Sequence, residues 1–190
     1  MQNRSAAMVE AILEAAIRIL RKDGWAAVTT TRVAERAGVS VGSLYQYFPN
    51  RESIAAAIVR QRTRRLLQAV LQADMERTAG RDVALLGLMS AFLEEKRREL
   101  DLSLAVRDLL PDIQGRHVIL EEIRLVLPQL QDKLEGVLGV RPETGRLAIA
   151  LAAVEGAVWE TLTQHSDTLV APATAASLAR IFRAALDDDG

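Results

Sequence analysis

The residue types that most often carry catalysis are scarce in this chain of 190 residues. It has two histidines, His117 and His165, and no cysteine. A disulfide, a thiolate metal site and a cysteine nucleophile are therefore excluded. His117 and Glu121 lie four positions apart, a spacing that favours a solvated ion pair on a helix over a metal site. No phosphate-cradling glycine loop, Ser-His-Asp order or HExxH motif occurs, so we expect no enzyme, cofactor or metal.

Polar side chains suited to binding are concentrated in residues 29–51, TTTRVAERAGVSVGSLYQYFPNR. Apolar residues recur there at helical spacing on both sides of Gly38, which predicts a helix, a tight turn and a second short helix. The second helix presents small or neutral hydrogen-bonding side chains to the outside. Such a helix-turn-helix can place them in the major groove of DNA without charge repulsion.

The charge of the chain is unevenly distributed. Residues 1–65 hold eleven basic and five acidic side chains, a balance of +6, whereas the whole chain has a net charge of −1. A basic segment joined to an acidic remainder indicates a polyanionic partner for the first third. The alternative is chance clustering of charges on solvated helices.

Helical periodicity separated by five prolines predicts an all-α fold of about nine helices. We expect Pro128 to kink or split the helix that contains it. No apolar run is long enough to span a membrane, so we expect no membrane partner and a cytoplasmic location. The predicted helices cover Ala6–Asp23, Thr30–Ala37, Val41–Phe48, Arg51–Met75, Val83–Glu99, Leu102–Leu110, Arg116–Leu138, Glu143–His165 and Ala173–Asp187.

About the first 55 residues closely resemble the N-terminal domain of the TetR (tetracycline-repressor-like) family. The resemblance implies a helix-turn-helix DNA-binding domain in residues 1–52 and an effector-binding and dimerisation domain in residues 53–190. The family usually has Lys at the position of Arg51 and often His at that of Tyr47. The matching residues are Ile12-Leu13-Glu14-Ala15-Ala16, Gly24, Thr29, Val33-Ala34, Ala37-Gly38-Val39-Ser40, Gly42, Leu44-Tyr45, Phe48 and Arg51.

The resemblance also implies individual DNA contacts. Ser40 is expected mainly to cap a helix, and a phosphate contact would be its second role. For Val41, packing against the core is the alternative to a base contact. Half-buried aromatic packing is the alternative for both tyrosines. Arg62, Arg64 and Arg65 form either a solvated face or a DNA contact, and Arg4 is a candidate for a phosphate or the minor groove. The expected phosphate contacts are Thr30, Thr31, Ser40, Tyr45, Tyr47 and Arg51, and the expected base contacts are Val41, Gly42, Ser43 and Gln46.

Two later segments indicate assembly. Small residues recur every four positions at Ala148, Ala152 and Gly156, which allows a second helix to approach closely. We expect this helix and the last one to pair with their copies in a four-helix bundle, as in the resembled family. Ordinary packing within the chain is the alternative. The predicted interface consists of Ala148, Leu151, Ala152, Gly156, Leu178, Ile181, Phe182 and Ala185.

These observations predict a ligand-responsive repressor that binds a palindromic double-stranded DNA operator as a homodimer. A small hydrophobic or aromatic effector would release it. Control by a protein partner, or a helical enzyme with an accessory DNA-binding head, are the alternatives. The candidate effector pocket consists of Met89, Phe92, Arg107, His117 and Trp159, for which plain core packing is the other interpretation.

Overall fold

The computed structural model describes residues 2–74, 80–164 and 172–187, and within these ranges it confirms an all-α fold of nine helices. Met75 and His165, the predicted ends of two helices, lie outside the described residues. None of the helices in the described ranges has the length and apolar content needed to cross a membrane. The helices are α1 (Gln2–Asp23), α2 (Thr30–Ala37), α3 (Val41–Tyr45), α4 (Arg51–Gln72), α5 (Arg81–Arg98), α6 (Leu100–Arg107), α7 (Gly115–Leu138), α8 (Thr144–Gln164) and α9 (Pro172–Leu186).

Helix α3 is shorter than predicted, because it ends at Tyr45 and not at Phe48. The backbone N–H groups of Tyr47 and Phe48 both bond to the carbonyl of Leu44, at 3.0 and 2.9 Å, which tightens the chain into a turn. Pro49 follows, and a proline disfavours the helical conformation of the residue before it. The predicted end was wrong because Phe48 follows Leu44 at helical spacing, which extended the predicted helix past the turn.

Helix α7 runs unbroken from Gly115 to Leu138 with Pro128 inside it, so this proline does not split the helix, and the kink stays a prediction. Proline removes one hydrogen bond to the carbonyl four residues earlier, which belongs to Arg124. Both Arg124 and Pro128 are exposed, so water can satisfy that carbonyl.

The chain forms two compact units. Unit 1 comprises the chain up to Arg64 together with Glu99–Glu122, and unit 2 comprises Arg65–Arg98 and the chain from Ile123 onward. Helices α4 and α7 each contribute residues to both units. The separation of DNA-binding and effector-binding roles at residue 52 concerns function and stays a prediction.

Each unit has its own apolar core. In unit 1, Ile12 and Ala16 of α1, Val33 of α2 and Leu44 of α3 are completely buried. They hold α2 and α3 against α1, as the apolar stripe of the sequence predicts. In unit 2, α9 packs against α5 and α8, and its Phe182 is completely buried.

Candidate nucleic-acid interface

The turn between α2 and α3 depends on one glycine. Gly38 has φ 70° and ψ 30°, a left-handed conformation that side chains with a Cβ rarely adopt. Its N–H bonds to the carbonyl of Glu35 at 3.2 Å, and the N–H of Val39 bonds to that of Ala34 at 3.0 Å. This closing of α2 sets the direction in which α3 leaves, and the helix-turn-helix expected from the sequence is present.

Helix α3 has a buried side and an outer side. Leu44 is 0% exposed, whereas Gly42 and Gln46 are exposed and Ser43 is half-buried. Val41 is half-buried and packs against the core of unit 1, so it contributes to packing as well as to the surface. Gly42, Ser43 and Gln46 therefore remain accessible from outside the protein.

Side-chain hydroxyls pair across the outer side of α3. The Oγ atoms of Ser40 and Ser43 are 2.8 Å apart, and the Ser43 N–H donates to Ser40 Oγ at 3.0 Å, which is the predicted helix cap. Thr30 Oγ1 of α2 lies 3.2 Å from the hydroxyl of Tyr45. The structure thus brings two of the expected phosphate contacts together from different helices.

A hollow beside α3 adds a third expected phosphate contact. It is lined by Thr30, Tyr45 and Arg51, together with Thr29, Pro49, Asn50 and Glu52. Arg51 is the first residue of α4, whose start is capped by Asn50: the Ser53 N–H donates to Asn50 Oδ1 at 2.8 Å. Hydroxyl-bearing residues and an arginine that line one hollow can bind a phosphate oxygen by hydrogen bonds and charge.

The other expected phosphate contacts are placed differently. Thr31 is exposed on α2. Tyr45 is 51% exposed, which does not fit the interpretation that it is a half-buried aromatic. Tyr47 is half-buried against the core of unit 1, which does fit it. The DNA contacts of all these residues stay predictions.

Two residues that are linked to Arg51, Trp25 and Asp112, are not among the site residues predicted from the sequence. The Arg51 guanidinium lies over the ring of Trp25, 4.5 Å from its centroid, and Arg51 Nε donates to Glu52 at 3.0 Å. The indole N–H of Trp25 donates to Asp112 Oδ2 at 2.6 Å. Asp112 lies 87 positions further along the chain, so no local pattern could reveal this contact.

Two arginines of the basic cluster on α4 bind acidic side chains within unit 1. Arg62 contacts Glu99 at 3.1 Å, and Arg64 makes two hydrogen bonds to Glu122 at 2.7 and 2.9 Å. These hydrogen bonds raise the pKa of Arg64 above its ordinary value. Both arginines are therefore engaged with the protein, which favours a structural role over a direct DNA contact.

The acidic residues of segment 99–122 also change the net charge of unit 1. Up to Arg64, basic side chains outnumber acidic ones by five, whereas residues 99–122 contain four more acidic than basic side chains. Unit 1 therefore has a net charge of only +1. The attraction of unit 1 to a polyanion then depends on where the charges of unit 1 lie and not on their sum.

Comparison with known proteins supports the same interpretation of residues 12–58, which match the family model described as bacterial regulatory proteins, tetR family. A solved TetR-family transcriptional regulator from Streptomyces coelicolor is 25% identical and superposes with a TM-score of 0.68, over 97% of this chain and 99% of that one. Residues 12–58 belong to the TetR family. The chain is accordingly a DNA-binding transcriptional regulator, and α2 and α3 are its helix-turn-helix.

Two further similarities to regulators extend over most of the chain. The fatty acid metabolism regulator protein of Bacillus subtilis is 22% identical over 158 residues, 80% of each protein. The solved transcriptional regulator FadR from Bacillus subtilis, in complex with stearoyl-CoA, has a TM-score of 0.63 at 19% identity, over 94% of this chain and 97% of that one. The similarity to FadR shows a shared fold.

The candidate effector residues lie in both units. In unit 2, Met89 is buried, Phe92 is half-buried with Lys96 Nζ 5.4 Å from its ring centroid, and Trp159 is 38% exposed. In unit 1, Arg107 contacts Asp108 at 3.3 Å. His117 contacts Glu121 at 3.2 Å on an exposed surface, the contact that their spacing of four residues indicates. The pocket itself stays a prediction.

The expected interface residues differ in exposure. Ala148, Ala152 and Gly156 form an exposed row along α8, and Ile181 of α9 is 38% exposed. Ile149, which the sequence analysis did not single out, is 63% exposed beside that row. The remaining expected residues are half-buried or buried within the chain: Leu151, Ala185, Leu178 and Phe182.

Proposed function

We propose that this TetR-family regulator is a repressor that binds a palindromic operator as a homodimer and is released by a small hydrophobic effector. The convergence of Thr30, Tyr45 and Arg51 beside the exposed side of α3 carries the proposal. That arrangement offers phosphate contacts next to a helix whose outer residues can reach base edges. A protein of this kind acts on DNA in the bacterial cytoplasm and needs no catalytic residue.

In the proposed complex, α3 enters the major groove. Val41, Gly42, Ser43 and Gln46 face base edges: Val41 is suited to a thymine methyl group, and the hydroxyl and amide can hydrogen-bond to bases. The flanking hydroxyls and Arg51 contact phosphates and set the position of the helix. These contacts come from Thr30, Thr31, Ser40, Tyr45, Tyr47 and Arg51.

The homodimer is supported by the exposed apolar surface of α8 and α9. Ala148, Ala152 and Gly156 would let two α8 helices approach closely, with Ile149 and Ile181 at their sides. Fully burying a large apolar side chain that was exposed to water contributes about 1.5–3 kcal/mol, so covering this face favours association. Two recognition helices about 34–36 Å apart can then read both halves of a palindrome.

The effector class is supported by the composition of unit 2 and by the named relatives. Its buried side chains on α5, including Leu85, Leu88 and Met89, are apolar. A Bacillus subtilis relative is named a fatty acid metabolism regulator, and the solved Bacillus subtilis FadR is in complex with stearoyl-CoA. We therefore favour a ligand with a long acyl chain. Such a ligand lowers DNA affinity only by as much as it prefers the conformation that cannot bind DNA.

The decisive experiment is a fluorescence anisotropy titration of the chain against duplexes from the region upstream of its own gene. We expect nanomolar binding to a palindrome that weakens steeply between 50 and 200 mM salt, because each neutralised phosphate releases counterions. Stearoyl-CoA, added to the complex, should lower the affinity, and free coenzyme A is the matched control. Binding that is absent from every fragment, or insensitive to salt, would overturn the proposal.

A further inference from the structure

We propose that Trp25 and Asp112 are positioning residues that hold the Arg51 guanidinium for its contact with a DNA phosphate. The inference rests on the DNA-binding function proposed above. It starts from a chain of three contacts within unit 1: Asp112 to Trp25 at 2.6 Å, Trp25 to Arg51 at 4.5 Å, and Arg51 to Glu52 at 3.0 Å.

The ring contact suits an arginine that must still bind an anion. A guanidinium stacked on an aromatic ring uses its π-face, whereas its N–H donors lie in its own plane. Stacking on Trp25 therefore restricts the side chain without consuming its donors. A free arginine loses rotamer entropy when it becomes ordered, so an Arg51 that is already ordered loses less when DNA binds.

Asp112 holds the indole ring of Trp25 in place, and that ring in turn holds the Arg51 guanidinium. Trp25 begins a short 3₁₀ turn, Trp25–Ala27, that follows Gly24. The hydrogen bond to Asp112 ties the indole to the segment between α6 and α7. A carboxylate that accepts the indole N–H also increases electron density in the ring, and the attraction of a cation for the ring depends on its negative face.

Simple electrostatics predicts the opposite role for Asp112. A carboxylate in the DNA-binding unit repels a polyanion, so its removal alone should strengthen DNA binding. The positioning role predicts that its removal weakens binding, because Trp25 and then Arg51 lose their fixed orientation. The sign of the effect separates the two explanations.

The test compares Asp112→Ala and Trp25→Phe with the wild-type chain by anisotropy titration against the operator. Each variant should weaken binding three- to tenfold, and Asp112→Asn, which keeps an acceptor oxygen, should restore part of the loss. Asp108→Ala is the matched control, because Asp108 is an exposed acid of the same segment that contacts Arg107. It should leave the affinity unchanged or slightly higher.

A double-mutant cycle shows whether the effect passes through Arg51. Arg51→Gln should weaken binding by itself, and in that background Asp112→Ala and Trp25→Phe should have no further effect. A loss of the same size in both backgrounds would mean general damage to the head and would overturn the inference. The indole N–H resonance of Trp25, identified by its absence in Trp25→Phe, should shift in Asp112→Ala and stay in place in Asp108→Ala.

The outcomes also separate this inference from the proposed function. A wild-type chain that binds no duplex overturns both. A wild-type chain that binds, an Arg51→Gln variant that binds weakly and an Asp112→Ala variant that binds as well as the wild type, or better, overturn the positioning role alone.

Discussion

At the scale of single residues, the hydroxyl groups of the interface are paired before DNA arrives. Thr30 meets Tyr45 at 3.2 Å, and Ser40 meets Ser43 at 2.8 Å. A hydroxyl both donates and accepts, so each can keep its protein partner and still bond to DNA. Tyr45 lines the hollow that is proposed to bind phosphate, and Ser43 lies on α3, so the two pairs should contribute differently to affinity and to sequence preference.

Tyr45→Phe and Ser43→Ala test that difference. Tyr45→Phe should weaken binding about ten- to 150-fold to the operator and to an unrelated duplex alike, because a hydrogen bond to a charged group is worth about 1.5–3 kcal/mol. Ser43→Ala should mainly reduce the preference for the operator. Parallel titrations with the two duplexes measure both effects. If neither variant changes either affinity, the contacts assigned to α2 and α3 are wrong.

At the scale of elements, local signals were sufficient where one residue decides a boundary. Thr29 and Gly38 predicted α2 over Thr30–Ala37, and the structure has the same bounds, because capping and left-handed φ are local properties. The start of α4 at Arg51 follows in the same way from Asn50. Helix-turn-helix spacing likewise predicted that Gly42 and Gln46 are exposed, whereas Val41 and Tyr47, which were also expected to face outward, are half-buried against the core.

Contacts between distant segments could not be predicted in this way. The bond of Trp25 to Asp112 joins residues 87 positions apart, and nothing near Asp112 in the sequence marks it. The pairing of Arg64 with Glu122 has the same origin. Both depend on the packing of residues 99–122 with the head, which composition and periodicity do not reveal.

The turn between α2 and α3 makes a prediction about stability. Gly38→Ala places a Cβ at φ 70°, which costs about 1–2 kcal/mol, and it should lower the free energy of unfolding by about that amount. Gly145→Ala is the control, because Gly145 lies in α8 with its nearest neighbouring atom 3.8 Å from an added Cβ. Its stability should be unchanged or higher. Urea denaturation followed by circular dichroism measures both, and equal stabilities would contradict the role of the turn.

At the scale of the whole molecule, a net charge of about +1 on unit 1 limits how far bulk attraction can explain DNA binding. A helix of five residues reads only a few base pairs. Affinity and selectivity for an operator must therefore come from two heads acting together, so the proposed function depends on the dimer.

Ile149 of α8 is the residue through which the dimer can be tested most sharply. Its side chain is 63% exposed beside the small-residue row, and a charge there would have to be buried in the proposed four-helix bundle at a large cost. Ile149→Glu should therefore sediment as a 20.8 kDa species at micromolar concentration. The wild-type chain should sediment at twice that mass.

Val140→Glu is the matched control for this variant. Val140 is 64% exposed but precedes α8, outside the proposed interface, and the substitution adds the same charge. It should remain a dimer and bind the operator like the wild type, whereas Ile149→Glu should lose most of its operator affinity and retain weak binding to single half-sites. If the two variants sediment alike, or if the wild-type chain is itself a monomer at this concentration, α8 does not form the interface. The proposal that two paired DNA-binding domains read a palindrome is then wrong as well.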